Sequence, residues 1–288
     1  MKKIASYLLF SIIFVACHKQ PSNSTYIKQP KNIQSLFQYK EGWKPMISIH
    51  RGGGDYVGFP ENCLESFAYL ASKMPSVIEC DIEITKDSVL MMMHDNSLDR
   101  TTTQKGKIIN QNWAEIKDAQ LKDNLGNLTN FKIPTLEQIL VWGKDKVLFT
   151  LDVKRNTPYK KVVEMVHKTH SENYVVIITY DANQAKEVYT LDPNLMISVT
   201  IRSKEEYDRH HALGIPDNRM VAFIGTREPS KDFTDFLHQK GICTILGTLG
   251  NLDKKAKADG DTYYKDLVNK GSDILSTDRA LEAYKAIN

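Results

Sequence analysis

Cysteine is scarce and badly placed for cross-linking. Only Cys17, Cys63, Cys80 and Cys243 occur in 288 residues. With Cys17 set aside, an odd three remain, too widely spaced for a disulfide framework. Long apolar runs are missing too. The stretch from Ile4 to Val15 falls short of the roughly 20 residues that a permanent spanning helix needs. Basic clusters are also absent. The formal net charge of +3 drops to +1 without Lys2 and Lys3, so nothing points to a nucleic-acid partner. What remains is ordinary globular composition, 41% hydrophobic and 25% charged, ample for a core.

The short basic start Met1-Lys2-Lys3, the apolar run and Ala16-Cys17 form a secretory signal. Phe14-Val15-Ala16-Cys17 resembles the lipobox of bacterial lipoproteins, in which the cysteine becomes the lipidated first residue. The alternative is ordinary signal cleavage that leaves Cys17 as an incidental thiol. Residues 1–17 are therefore expected to be a lipoprotein signal ending in a lipidated Cys17. Residues 18–40, polar with Pro21 and Pro30, are expected to be a tether, and residues 41–288 the folded domain. The expected location is a bacterial cell envelope, on its periplasmic or outer-surface side. A lipid would hold the protein to the membrane with no spanning helix in the mature chain.

The body, close to 250 residues, has the usual size of one (β/α)₈ barrel. Apolar strand candidates fall at Met46–His50, Val77–Ile84, Val147–Asp152, Tyr174–Thr179, Met196–Thr200, Met220–Ile224, Gly241–Leu246 and Asp273–Ser276. Helical patterns such as Cys63–Lys73, Pro158–His170 and Asp181–Tyr189 separate most of them. Alternating strand and helix predicts a parallel sheet, hence an α/β TIM barrel. An insertion follows the second strand, at about residues 85–131, with an extra strand at Val89–His94. The site is expected at the C-terminal strand ends.

The chain is organised around Ile47 to Thr102. On the run Ile78 to Ile84, Glu79, Asp81 and Glu83 share one face and Ile78, Cys80, Ile82 and Ile84 the other. Cys80 is thereby a packing residue. Alone, this pattern fits a strand with one wet face. Two strands that end in histidine, at His50 and His94, flank it. The carboxylates offer hard oxygen ligands for Ca²⁺ or Mg²⁺. The histidines offer an acid and a base that work near neutral pH. Arg51, followed by Gly52, Gly53 and Gly54, suits an anionic group such as phosphate.

The series His50-Arg51-Gly52, Pro60-Glu61-Asn62, Glu79-x-Asp81, His94-Asp95 and Leu98-Asp99-Arg100-Thr101-Thr102 resembles the glycerophosphodiester phosphodiesterase family of TIM-barrel enzymes. Five elements in the right order make a specific match. It is dense from His50 to Thr102 and looser to Asp278. The resemblance implies that Asp152 completes a one-cation site with Glu79 and Asp81, and that Lys154 and Arg51 contact phosphate. His50 and His94 would be the catalytic pair, with Glu61 orienting Arg51 or His50. The implied reaction is metal-dependent hydrolysis of glycerophosphodiesters to glycerol phosphate and an alcohol, the attacking group being a glycerol hydroxyl or water.

Departures from the family pattern are Cys63 where many members have Thr, a longer link over Asp55–Phe59, and a seventh strand end without Trp. Thr277-Asp278 reads as structural. His167, His170, His210, His211 and His238 read as solvated or capping. Two other functions fit the sequence. One is a phospholipase acting on intact phospholipids, of phospholipase C or sphingomyelinase D type, which an apolar rim would favour, and no apolar loop stands out in the insertion. The other is a non-catalytic lipoprotein that binds headgroups.

Overall fold

The structure, a computed structural model, describes residues 25–288. The leader and Cys17 lie outside the described residues. Eight strands form the barrel: β1 (Met46–Ile49), β2 (Val77–Ile84), β3 (Leu148–Val153), β4 (Val175–Thr179), β5 (Met196–Thr200), β6 (Met220–Phe223), β7 (Thr244–Gly247) and β8 (Ile274–Thr277). Each pairs in parallel with its neighbours, and β1 closes the ring by pairing with both β8 and β2. All eight lie within a few residues of their expected places. Their runs of Val, Ile and Leu suit strands buried on both faces by surrounding helices. β2 is buried along its whole length, which excludes the half-wet strand that its alternation also allowed.

The insertion after β2 is present and has its own small core. Leu90–Met92 runs antiparallel to the end of β2, and a hairpin follows from Gln120–Lys122 and Leu128–Lys132. Met91, Met93, Leu98, Ile108, Ile116, Leu121 and Ile133 pack together beneath it with Cys63. The chain returns to the barrel at Thr135, whose hydroxyl caps the helix Leu136–Gly143 by accepting from the Gln138 N–H.

The N-terminal approach is more ordered than a tether over residues 18–40 would be. Asn32 caps a short helix, Ile33–Phe37, through a bond from the Gln34 N–H at 2.9 Å. Ile33 and Phe37 are both buried in the barrel core. The Ile27 N–H donates to the Lys146 carbonyl at the entry to β3, and the Tyr39 N–H to the Gly241 carbonyl at the entry to β7. In a ring of eight, those strands stand opposite one another. Residues 27–39 are thus a strap across the barrel floor, held by the buried Ile33 and Phe37 with Ile27, Leu36 and Tyr39 packed beside them.

Candidate active site

The C-terminal strand ends carry the polar residues that the sequence singled out. β1 ends in a tight turn at His50-Arg51-Gly52. Arg51 has φ 52° and Gly52 φ 64°, both left-handed. A methyl group at Gly52 would lie 1.8 Å from the Phe67 ring, so only glycine fits. The turn directs the Arg51 N–H onto Glu79 Oε2 at 2.7 Å. Beside it, His50 Nδ1 donates to Asp278 Oδ1 at 2.6 Å. Burial favours the neutral ring, but Asp278 and the charge of Glu79 outweigh it and raise the His50 pKa above its usual value.

Glu79, Asp81 and Asp152 come together as expected. One carboxylate oxygen from each lies within 4.8 Å of the others, and all three residues are buried. Asp81 and Asp152 are register partners on β2 and β3. Lys154 Nζ lies 2.6 Å from Asp81 Oδ1 and from Asp152 Oδ2, and burial's penalty on its charge is more than offset by those two carboxylates, so its pKa rises.

Two further residues hold these carboxylates. Asn62 grips Asp81 twice, its amide donating to Oδ2 at 2.6 Å and its Oδ1 accepting from the Asp81 N–H at 2.9 Å. The Tyr180 hydroxyl donates to Asp152 Oδ1 at 2.7 Å. Burial alone would raise the Asp81 pKa, yet Lys154 and Asn62 hold it below the usual range. Burial and the nearby Asp81 charge push Glu79 up to about 8. With all three carboxyls ionised, one ammonium would leave two charges uncompensated in a buried place, which is why Glu79 keeps its proton until a cation displaces it. Hard oxygen donors with that excess fit a divalent cation.

The second histidine lies by Asp81. His94 is close enough to Asp81 for its charge to lower that carboxyl's pKa, and its Nδ1 donates to Asp95 Oδ1 at 2.7 Å. Arg100 then ties the groups together. Its Nε donates to Asp95 Oδ2 at 2.7 Å and its Nη2 to Glu61 Oε1 at 2.6 Å. Glu61 Oε2 also accepts from Arg51 Nη1 at 3.1 Å. Glu61 therefore orients Arg51, one of the two partners expected for it, and does not touch His50. The Nε–H of Arg51 is buried without an acceptor among the described residues.

A cavity of about 160 Å³ opens between the strand ends, lined by His50, Glu79, Asp152 and Tyr180 with Ser48 and Ser198. Past Tyr180, Thr200 and Phe223 it continues into a groove with Arg202, Arg227 and Phe233.

Sequence reading missed four residues of this site. Asp278 is no mere structural closure, because it holds His50. The contact forms where Thr277 pairs with Ile49 as the barrel closes. Asn62 and Arg100 lie inside the quoted motifs, yet nothing in spacing alone gave them partners. Tyr180 follows β4 without any motif. Other expectations change in detail. His210 is buried and bonds to the Thr200 carbonyl, and the half-buried His238 bonds to Asp273. The insertion does carry apolar side chains at its surface, since Leu125 is 63% and Leu128 56% exposed, while Val57 in the loop after β1 is 71% exposed. Asn124 bonds to Asp55, which puts Leu125 and Val57 on one rim.

Comparison with known proteins agrees with this arrangement. The model of the glycerophosphoryl diester phosphodiesterase family matches residues 50–241. A solved glycerophosphoryl diester phosphodiesterase from Parabacteroides distasonis is 32% identical and superposes with a TM-score of 0.83, covering 91% of this chain and 93% of that one. A glycerophosphodiester phosphodiesterase of Bacillus subtilis is 28% identical over 175 residues, 54% of this chain and 59% of its own length. The match to the curated relatives thus spans under two thirds of their length. A phosphodiesterase of Oleispira antarctica, solved with the product sn-glycerol-3-phosphate, shares the fold at a TM-score of 0.66 and 18% identity over 85% of this chain and 97% of that one. Since the family model runs from His50 to the approach of β7 and takes in every charged residue of the site except Asp278, this chain belongs to the glycerophosphoryl diester phosphodiesterase family.

Proposed function

We propose that the protein hydrolyses glycerophosphodiesters to glycerol phosphate and an alcohol, using one divalent cation and a pair of histidines. One observation carries this reading: two imidazoles, each held through Nδ1 by a carboxylate, neighbour a buried three-carboxylate cluster, His50 by Glu79 and His94 by Asp81. Mere headgroup binding would not need an acid and a base. A Ca²⁺ or Mg²⁺ ion held by Glu79, Asp81 and Asp152 would neutralise phosphate charge and polarise the phosphorus centre.

The chain's own residues supply the rest. Arg51, with an unpaired Nε–H, and Lys154 offer donors for the charge that grows on the phosphate oxygens. With Nδ1 committed to its carboxylate, each histidine presents Nε2 to the substrate. One accepts the proton of the nucleophile, and the other protonates the departing alkoxide. Asp278 makes His50 more basic. The groove beyond Tyr180 gives a headgroup room without demanding one shape.

Phosphorus NMR of the protein with glycerophosphocholine and glycerophosphoinositol tests the reading, run with Ca²⁺, with Mg²⁺ and with chelator. Metal-dependent glycerol phosphate is expected, and replacing His50 or His94 with Ala should cut turnover by about 10²–10⁴-fold. Neither diester changing with either metal would sink it. A second reading keeps the site but takes intact phospholipids, and the exposed Val57 and Leu125 at the rim favour it. The lipidated Cys17 and residence in a bacterial envelope belong to this proposal, supported by the leader's sequence pattern.

A further inference from the structure

The floor of the barrel has properties that the reaction does not use. The loops that enter the eight strands, together with residues 25–32, carry seven exposed lysines and only two exposed carboxylates, Glu41 and Asp145. Four of the lysines, Lys28, Lys31, Lys40 and Lys44, lie on the strap or just after it. None of these four has an ion-pair partner among the described residues. The carboxylates of Asp192, Asp217 and Asp273 are taken up by His167, Tyr207 and His238. A basic face of this kind is drawn to an anionic leaflet, about fivefold for each lysine near the surface.

The N-terminal chain enters at this same face. Tyr26 already packs on the core, so only nine peptide steps separate it from Cys17. Nine steps reach about 30 Å when fully stretched and about 17 Å as a relaxed coil. A domain of this length is about 45 Å across, from a radius of gyration of about 18 Å. An anchor at Cys17 therefore holds the floor near the bilayer and cannot be carried round to the mouth.

We propose that the lysine-rich floor docks on an anionic lipid surface, with the catalytic mouth turned away from the membrane that anchors it. This rests on the lipid-anchor and phosphodiesterase reading above and deepens it. The substrates are then water-soluble diesters that reach the mouth by diffusion, and the phospholipids of the anchoring bilayer are out of reach. The apolar rim of Val57 and Leu125 is too small to oppose this, since a few exposed apolar residues are common on soluble proteins.

The test uses the full chain, recovered lipidated and placed in vesicles of phosphatidylglycerol or phosphatidylcholine. Cys63, Cys80 and Cys243 are buried, so a fluorophore can be attached selectively at Lys44→Cys on the floor or Leu125→Cys at the mouth. A quencher carried on the lipid headgroup reports which end faces the bilayer. Quenching several-fold stronger at the floor is expected in phosphatidylglycerol. The difference should shrink in 0.5 M salt and in a Lys28→Glu/Lys31→Glu/Lys40→Glu variant. Added glycerophosphocholine should be cleaved at an undiminished rate by that variant.

Equal or stronger quenching at Leu125, cleavage of the vesicle phospholipid, or a chain that carries no lipid would each overturn the proposal. Failure of the enzymatic reading is seen separately, as absence of glycerol phosphate, because quenching does not depend on turnover.

Discussion

A carboxylate on Nδ1 fixes which nitrogen of an imidazole faces the substrate, and Asp278 does this for His50 at 2.6 Å. In Asp278→Asn the tautomer is no longer held, so turnover should fall by about 10–100-fold while KM changes little. The pH profile distinguishes this from simple disruption. Asp278 favours the protonated ring, so its loss lowers the His50 pKa and moves the corresponding limb of the rate profile toward acid. An unmoved limb would show that Asp278 does not act through His50. Glu79 gives a second pH signature. Its buried carboxyl is pushed up to about 8, above its unfolded value. The folded, metal-free state therefore holds a proton that the unfolded chain has lost, and stability falls as pH rises from about 4.5 toward 8. Thermal unfolding in chelator should show this decline, and Glu79→Gln should flatten it. Ca²⁺ or Mg²⁺ at a hundredfold above its Kd should stabilise the wild type by about 2.7 kcal/mol. The same ions should leave Glu79→Gln unmoved.

The turn after β1 is the element on which both His50 and Arg51 depend. Gly52→Ala would place a methyl group against the Phe67 ring and keep a left-handed residue there. The left-handed conformation alone costs about 1–2 kcal/mol, and overpacking adds about 1–3. Urea denaturation should show that loss in the midpoint with the slope unchanged, together with strongly reduced activity. The element scale also explains what the sequence could reveal. Strands β1 to β8 stood out because strands buried on both faces read as apolar runs. Glu79 and Asp81 stood out because period two puts them on one side, and Asp152 because the motif supplied it. Asp278 was misjudged because its contact with His50 exists only after the last strand meets the first, 228 residues away. Arg100 was overlooked for a related reason. Its partners Glu61 and Asp95 come from different loops, and only folding of the insertion joins them.

At the scale of the whole molecule, the two ends of the barrel do different work. The mouth gathers carboxylates and is specified by motifs, whereas the floor is specified by a few apolar residues in polar surroundings. That is why the strap was hard to see: Ile33 and Phe37 are its two fully buried anchors, and the Lys, Gln, Asn and Pro around its few apolar residues read as a linker. Their burial makes the strap part of the cooperative unit rather than an appendage. Phe37, 1% exposed, should cost about 3–5 kcal/mol when replaced by Ala. For a domain of this size each kcal/mol lowers Tm by about 2–4 °C, so calorimetry should show Phe37→Ala melting at least 6 °C lower in one transition. A catalytic rate at 25 °C close to wild type is expected alongside, since the strap touches none of the groups at the mouth. If Phe37→Ala instead leaves Tm unchanged, the strap is not coupled to the barrel. The floor would then be free to swing beneath its anchor, and the fixed orientation argued above would lose its mechanical basis.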